Sequence, residues 1–194
     1  MTIHEPGIYH IYNRGNNQQT IFFSQENYYY FLRKCHKYLM PASDILAWCL
    51  MPNHFHFLMN ISEKSLTPVK SGGIIMPAIT NGFRLLQSSY AKGINRRQNK
   101  SGNLFQQKTK AKLTGFKENY SVTAFHYIHQ NPFVVGLVKN PEDWAYSSLP
   151  DFAGLRNGLL CNRDKAYELL DLAGIDFKIK TLEKIDDEIV KKIL

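Results

Sequence analysis

The chain has 194 residues, of which 44% are hydrophobic and 13% aromatic, and its formal net charge is +8. That length can bury a substantial core, and the absence of an apolar run long enough to cross a bilayer, or of a basic N-terminal segment followed by an apolar one, argues against a membrane partner or a secretory leader. Three widely spaced cysteines without a CxxC pair argue against a disulfide framework or a zinc cluster, so we expect free thiols and a cytoplasmic protein.

Hydrophobic periodicity predicts elements in the order β-α-β-β-α-β-α, which is typical of an α+β fold in which an antiparallel sheet carries helices on one face. Strands are predicted at Ile8–Asn13, Asp44–Met51, His54–Ile61 and Leu104–Leu113. Helices are predicted at Gln25–Leu39, from Thr80 to about Gln98, and from Asn119 or Ser121 to Gln130, where Pro132 should end the helix.

Two regions outside this core pattern are interpreted separately. The segment Glu63–Pro77 is rich in Ser, Gly, Pro and Lys and is predicted to be a mobile loop. Helical patterns at Asp164–Leu172 and Leu182–Leu194 predict a helical C-terminal extension over residues 150–194, after a main domain at residues 1–149. The extension could pack on the core, pair subunits or hold nucleic acid.

The charge is unevenly distributed along the chain. No Asp or Glu occurs between Glu63 and Glu118, whereas eleven Lys or Arg residues do, and twelve of the sixteen acidic residues follow Lys117. Such a segment favours a nucleic-acid face, although a solvated lysine-rich surface is the simpler alternative. We predict phosphate and hairpin contacts from Arg14, Arg96, Arg97, Lys108, Lys110 and Lys112.

Two short motifs indicate chemistry when they are taken together. In Pro52-Asn53-His54-Phe55-His56-Phe57 the alternation of a strand places His54 and His56 on one face and both phenylalanines on the other. In the helix that ends near Pro132, Tyr127 and Asn131 are four residues apart and share a face. Two imidazoles, an amide oxygen and open coordination positions suit Mg²⁺ or Mn²⁺ bound together with a substrate phosphate.

These residues resemble the HUH single-strand DNA endonucleases, and within them the single-tyrosine transposases close to the REP-associated tyrosine transposases. Further matching segments are Tyr9-His10-Ile11-Tyr12-Asn13-Arg14-Gly15, Gly102-Asn103-Leu104-Phe105-Gln106-Gln107-Lys108, and Asn131-Pro132 followed by Gly136-Leu137-Val138. The resemblance extends from about Gly7 to Leu149. It implies a ferredoxin-like, palm-type (RRM-like) fold.

The resemblance also implies the roles of the site residues. His54, His56 and Asn131 would bind the divalent metal, and Tyr127 would attack a DNA phosphate to form a 5′-phosphotyrosine. The partner would be single-stranded DNA with a hairpin and a short unpaired flank. Relatives include both monomers and dimers, so the resemblance is compatible with a homodimer as well as with a monomer.

Other interpretations of the same residues remain open. Asn131 could simply stabilise the turn into Pro132, Tyr90 is a rival nucleophile better suited to packing, and His126 could be a structural or DNA contact. His129 should face away from Tyr127. At the level of function, the alternatives are a catalytically silent nucleic-acid-binding regulator and a metal-dependent nuclease that activates water.

Overall fold

A computed structural model of the protein describes residues 1–114 and 120–194, so the predicted helix start at Asn119 lies outside the described residues. The described strands are β1 (Gly7–Arg14), β2 (Asp44–Met51), β3 (His54–Ile61), β4 (Pro68–Ser71), β5 (Ile74–Pro77) and β6 (Lys110–Leu113). The described α-helices are α1 (Gln25–Tyr38), α2 (Glu63–Leu66), α3 (Ala78–Gln98), α4 (Tyr120–Val134), α5 (Leu149–Phe152), α6 (Arg163–Leu170), α7 (Phe177–Leu182) and α8 (Asp187–Ile193).

The main sheet has four antiparallel strands in the order β2-β3-β1-β6. Pro52 and Asn53 form the short turn between β2 and β3, which confirms the predicted hairpin. The α+β fold with an antiparallel sheet is therefore confirmed. The polar motifs lie on its two central strands, β3 and β1.

Both faces of the sheet are covered. The first core lies between the sheet and the helices α1 and α3, and Phe55 and Phe57 are fully buried in it. The second core lies between the opposite face and α4 with the C-terminal helices, and it contains Leu58, Phe125 and Ile193. The two phenylalanines and the two histidines of the His-x-His motif thus point to opposite layers, as the strand alternation predicts.

The predicted mobile loop at Glu63–Pro77 was wrong. The segment forms α2 and the β4–β5 hairpin, whose turn is made by Gly72 and Gly73 with positive φ angles of 61° and 81°. Two glycines, two serines and two prolines within fifteen residues suggested a mobile loop, but two consecutive glycines between short extended segments also make a tight hairpin turn. The long strand predicted from Leu104 was also too long, because regular pairing with β1 covers only Lys110–Leu113.

The predicted end of the tyrosine helix at Gln130 was wrong as well. Helix α4 continues through Pro132 to Val134, and the amide of Val135 still donates to the carbonyl of Asn131 at 3.2 Å. A proline inside a helix lacks an amide donor and crowds the carbonyl four residues back, but α4 accommodates Pro132, and the chain leaves the helix at Gly136, whose φ of 74° suits a C-terminal glycine. The second helix predicted for the extension, Leu182–Leu194, is shorter than expected, because α8 covers only Asp187–Ile193, and α7, which precedes it, was not predicted from the sequence.

The C-terminal extension packs on the main sheet. Phe152, Leu170, Phe177 and Ile193 are buried against α4 and the edge of β2 in the second core. Among the described residues, none of the helices is long and apolar enough to pass through a membrane. The division at residues 149 and 150 stays a prediction.

Candidate active site

The register of the sheet gathers polar side chains on the face that α4 covers. Tyr12 pairs with His56 on one side and with Lys110 on the other, and Arg14 pairs with His54. Directly paired residues of antiparallel strands project on the same face, so these five side chains form two adjacent rows.

A cavity of about 640 Å³ opens over these rows. Tyr127 reaches it from α4, and Lys191 and Leu194 reach it from the end of the chain described here. Its lining residues are Tyr12, Asn13, Arg14, His54, His56, Gln106, Lys108, Lys110, Tyr127, Lys191 and Leu194. The charged side chains in this lining are all cationic, so the cavity suits a polyanion such as a phosphodiester chain.

His54 is held by the turn residue that precedes it. Its Nδ1 lies 2.6 Å from Oδ1 of Asn53, and Nδ2 of Asn53 donates to the carbonyl of Gln18 at 3.4 Å. With the amide in this orientation, Nδ1–H of His54 donates a hydrogen bond to the oxygen. Nε2 of His54 is then the nitrogen that carries a free lone pair.

His56 is held by a second histidine that has no assigned role in the sequence interpretation. Nδ1 of His56 lies 2.8 Å from Nε2 of His10, and Nδ1 of His10 lies 2.7 Å from the carbonyl oxygen of Ile193. The rings of His54 and His56 have centroids 4.9 Å apart, so both imidazoles border the same space.

Burial disfavours the charged form of three histidines in or beside the cavity. Burial, reinforced by the neighbouring Arg14 cation, lowers the pKa of His54 to about 4. Burial lowers the pKa of His10 to about 4 and, together with the adjacent His10 and His54, holds the pKa of His56 well below its ordinary value. Neutral imidazole is the form that binds a metal ion.

Tyr127 lies against the two histidines. Its ring centroid is 5.9 Å from that of His56 and 6.0 Å from that of His10, and both contacts are edge-on. Burial raises the pKa of the Tyr127 phenol above its ordinary value of 10, a hydrogen bond from the Asn131 side chain acts in the opposite direction, and the neighbouring Tyr12 adds to the increase. Burial therefore disfavours ionisation of the phenol, and a nearby positive charge would favour it.

Asn131 lies one helical turn beyond Tyr127, but it is not among the residues that line the cavity. Its Nδ2 donates to the backbone carbonyl of Tyr127 at 2.7 Å. This contact leaves Oδ1 without a described hydrogen bond, so the oxygen keeps the lone pairs that a ligand needs. Its role as a metal ligand stays a prediction.

The predicted DNA contacts are divided by the fold. Arg14, Lys108 and Lys110 line the cavity, whereas Arg96 and Arg97 lie in the last turn of α3, outside the lining. Lys112 pairs with His10 and is exposed on the edge strand β6, also outside the lining. The six residues therefore do not form one compact patch.

A buried amide network fixes the segment that carries the cavity lysines. Nδ2 of Asn13 donates to Oε1 of Gln87 at 2.7 Å, to the carbonyl of Gln106 at 3.1 Å and to Oγ1 of Thr109 at 3.1 Å. Nε2 of Gln87 donates to the same Thr109 hydroxyl at 2.7 Å. The network ties β1 and α3 to the chain on both sides of Lys108.

The other candidates of the sequence interpretation have structural partners. His126 Nδ1 lies 2.9 Å from Oγ1 of Thr181, and His129 Nε2 lies 2.7 Å from Oγ of Ser148, both within the second core. His129 therefore faces away from the cavity, as predicted. Tyr90 is fully buried among the aromatic residues of the first core, and its hydroxyl donates to the carbonyl of Ile21 at 2.6 Å, so packing is confirmed for it.

Sequence reasoning missed several residues that line the cavity or contact its histidines. His10 and Tyr12 could have been found, because alternation along β1 places them on the face of Arg14. No sequence pattern pointed to Lys191 and Leu194, since they reach the cavity only through the packing of α8. The Tyr12 hydroxyl donates to the carbonyl oxygen of Leu194 across 182 positions of sequence.

The fold and this geometry define a class: proteins in which a His-x-His strand, central in a four-stranded antiparallel sheet, faces a helix that bears a tyrosine. The chain is similar to a solved structure of a REP-associated tyrosine transposase bound to a REP hairpin, with a TM-score of 0.55 and 16% sequence identity. The match covers 84% of this chain and 94% of that chain, and it establishes a relation in fold. Comparison with known sequence families and with curated proteins returns no match.

The donors in the cavity fit a hard divalent cation in part. His54 and His56 each have Nδ1 engaged and Nε2 available, so two neutral nitrogens can serve one ion. Among residues 1–114 and 120–194, no cluster of three or more His, Cys, Asp or Glu side chains is arranged to hold a metal. A third protein ligand would come from another type of side chain, such as an amide, with the remaining positions left for water and phosphate.

Proposed function

We propose that the protein is a divalent-metal-dependent transposase or endonuclease that cleaves and rejoins single-stranded DNA at hairpin sequences through a covalent 5′-phosphotyrosine. The observation that carries the proposal is the presence of Tyr127, His54 and His56 in one cavity whose charged lining is cationic. The solved structure of similar fold was determined with a REP hairpin bound, which supports a DNA hairpin as the partner.

The chain's own residues account for most of the reaction. Arg14, Lys108 and Lys110 would bind the phosphates on either side of the scissile bond and hold the strand across the cavity. Oη of Tyr127, once its proton has left, attacks the phosphorus, the bond between phosphorus and O3′ breaks, and O3′ takes up a proton. Rejoining reverses these steps, with a 3′-hydroxyl attacking the phosphotyrosine and releasing Tyr127.

The metal would be Mg²⁺ or Mn²⁺, and the groups that would hold it are Nε2 of His54, Nε2 of His56 and Oδ1 of Asn131. When bound, it would polarise a non-bridging phosphate oxygen and lower the pKa of a nearby phenol. Burial alone works against ionisation of Tyr127, so the proposed chemistry depends on this charge.

The proposed site can form within one chain. Its support is that His54, His56 and Tyr127 border the same cavity of a single protomer. A homodimer therefore remains a prediction about assembly and not a condition for the chemistry.

The decisive experiment incubates the protein with labelled single-stranded hairpins from the DNA that flanks its gene, in Mg²⁺ or Mn²⁺, and looks for a denaturation-resistant adduct. We expect an adduct with the wild type, none with Tyr127→Phe, and a wild-type amount with Tyr90→Phe, which removes a buried hydroxyl far from the cavity. Binding without an adduct under both metals would favour a silent regulator. Metal-dependent cleavage that survives Tyr127→Phe would favour a nuclease that activates water.

A further inference from the structure

His10 occupies an unusual position between the metal-binding candidate His56 and the end of α8. It is fully buried, its Nε2 lies 2.8 Å from Nδ1 of His56, and its Nδ1 lies 2.7 Å from the carbonyl oxygen of Ile193. The ring planes of His10 and His56 are inclined by only 20°, with centroids 5.0 Å apart. The three groups form one continuous line of hydrogen bonds from α8 to the cavity.

The carbonyl of Ile193 determines the direction of every hydrogen bond in this line. A backbone carbonyl only accepts, so Nδ1 of His10 must donate to Ile193. A neutral imidazole carries one proton, so Nε2 of His10 is left as an acceptor. Nδ1 of His56 must then donate to it, and the lone pair of His56 is placed on Nε2.

From this line we infer that His10 is a positioning residue: it fixes His56 as the Nδ1–H tautomer and directs its Nε2 lone pair to the cavity. The inference rests on the proposed function for the use of that lone pair as a metal ligand. The amide oxygen of Asn53 holds His54 in the same Nδ1–H tautomer, so both imidazoles have their lone pair on Nε2. Partners of this kind typically change metal affinity by about 10- to 100-fold when they are removed.

The tautomers can be read without metal and without DNA. In full-length protein with ¹⁵N-labelled imidazoles, long-range ¹H–¹⁵N correlation distinguishes the protonated nitrogen of each ring from the unprotonated one. We expect His56 to show Nδ1–H in the wild type. Observation of the Nε2–H tautomer at His56 in the wild type would overturn the inference before any variant is made.

Two substitutions at position 10 separate positioning from packing. His10→Phe keeps a flat ring but cannot accept the hydrogen bond from Nδ1 of His56. In His10→Gln, Oε1 lies near the position of the lost Nε2 and can accept that hydrogen bond. We expect His10→Phe to lose the fixed tautomer at His56 and to weaken Mn²⁺ binding, measured by calorimetry, by about 10- to 100-fold. His10→Gln should restore both, and His36→Phe, at an exposed position of α1, serves as the matched control.

The two readouts distinguish failure of this inference from failure of the proposed function. If His10→Phe folds and leaves both the tautomer and the Mn²⁺ affinity unchanged, the positioning role is excluded. If the wild type shows the expected tautomer, and His10→Phe loses it, but no form of the protein binds Mn²⁺, the positioning role stands and the proposed metal chemistry is overturned. If His10→Phe fails to fold, the wild-type tautomer and the His10→Gln variant still decide.

Discussion

Oδ1 of Asn53 lies 2.6 Å from Nδ1 of His54, in the two-residue turn that joins the central strand to its neighbour. The turn that builds the hairpin therefore also orients an imidazole of the candidate site. Within residues 1–114 and 120–194, the side chain of Asn53 makes one further hydrogen bond, a long one to the carbonyl of Gln18 at 3.4 Å.

We therefore predict that Asn53→Leu weakens Mn²⁺ binding by about 10- to 100-fold, because Nδ1 of His54 loses the acceptor that fixes its tautomer. Asn53→Asp keeps the oxygen and should bind Mn²⁺ at least as tightly as the wild type. Calorimetric titration of the three proteins measures this. Equal affinity for the wild type and Asn53→Leu would show that the contact is only part of the turn.

The cavity lysines should contribute to DNA binding, and Lys112 should not. We expect Lys108→Ala and Lys110→Ala each to weaken binding of a single-stranded oligonucleotide and to reduce the slope of log K against log salt concentration by about 0.7, as for one lost phosphate contact. Lys112→Ala should change neither quantity, because Lys112 lies outside the cavity lining.

Fluorescence anisotropy at several salt concentrations provides the measurement, and Lys37→Ala on α1, which packs on the opposite face of the sheet, provides a matched control. A loss with Lys112→Ala as large as that with Lys110→Ala would mean that the DNA follows the edge strand instead of the cavity.

Adduct formation should accelerate with pH over about pH 6 to 9. Burial raises the pKa of Tyr127, so the phenolate fraction is small in this range and grows about tenfold per pH unit until the apparent pKa is reached. The pKa of His54 is about 4, so its protonation does not produce the rise.

Initial rates of adduct formation at fixed Mg²⁺ concentration test this expectation. A rate that is constant over the whole range would show that ionisation of Tyr127 does not limit the reaction. A rate that falls as pH increases would contradict the role of a phenolate nucleophile.

Acid should destabilise the fold between about pH 6.5 and pH 4. Burial lowers the pKa of His10 and His126 to about 4 from an ordinary value of 6.5, so the unfolded chain binds more protons than the folded one in this window. The free energy of unfolding therefore increases with pH, and it decreases as pH falls through the window. One pKa unit corresponds to about 1.4 kcal/mol, so one such fully buried histidine can contribute roughly 3 kcal/mol at most.

Urea unfolding followed by circular dichroism at several pH values measures this slope. His126→Asn retains a polar group near Thr181 but cannot take up a proton, so its slope should be shallower than that of the wild type. An identical slope in the variant would mean that His126 has the same pKa in the folded and unfolded states.

The sequence predicts the elements with strong periodicity and fails where distant packing decides. Strands β2 and β3 match the predicted bounds because their alternating and continuous apolar runs are unambiguous. The end of α4 was predicted wrongly because of Pro132, since a helix that packs well against its neighbours tolerates one missing hydrogen bond. His54, His56 and Tyr127 meet in one cavity as the motifs predict, whereas Lys191 and Leu194 could not be predicted, because their approach depends on the docking of α8.

The contacts of His10 and Tyr12 with Ile193 and Leu194 join the first strand to the last helix described. The pairing of β1, which carries these two side chains, with β3 involves only the first 61 residues. Their acceptors leave the ribosome more than 130 residues later. One wall of the cavity is therefore added last, and a chain that stops short of α8 would carry Tyr127 on a folded sheet with that wall missing.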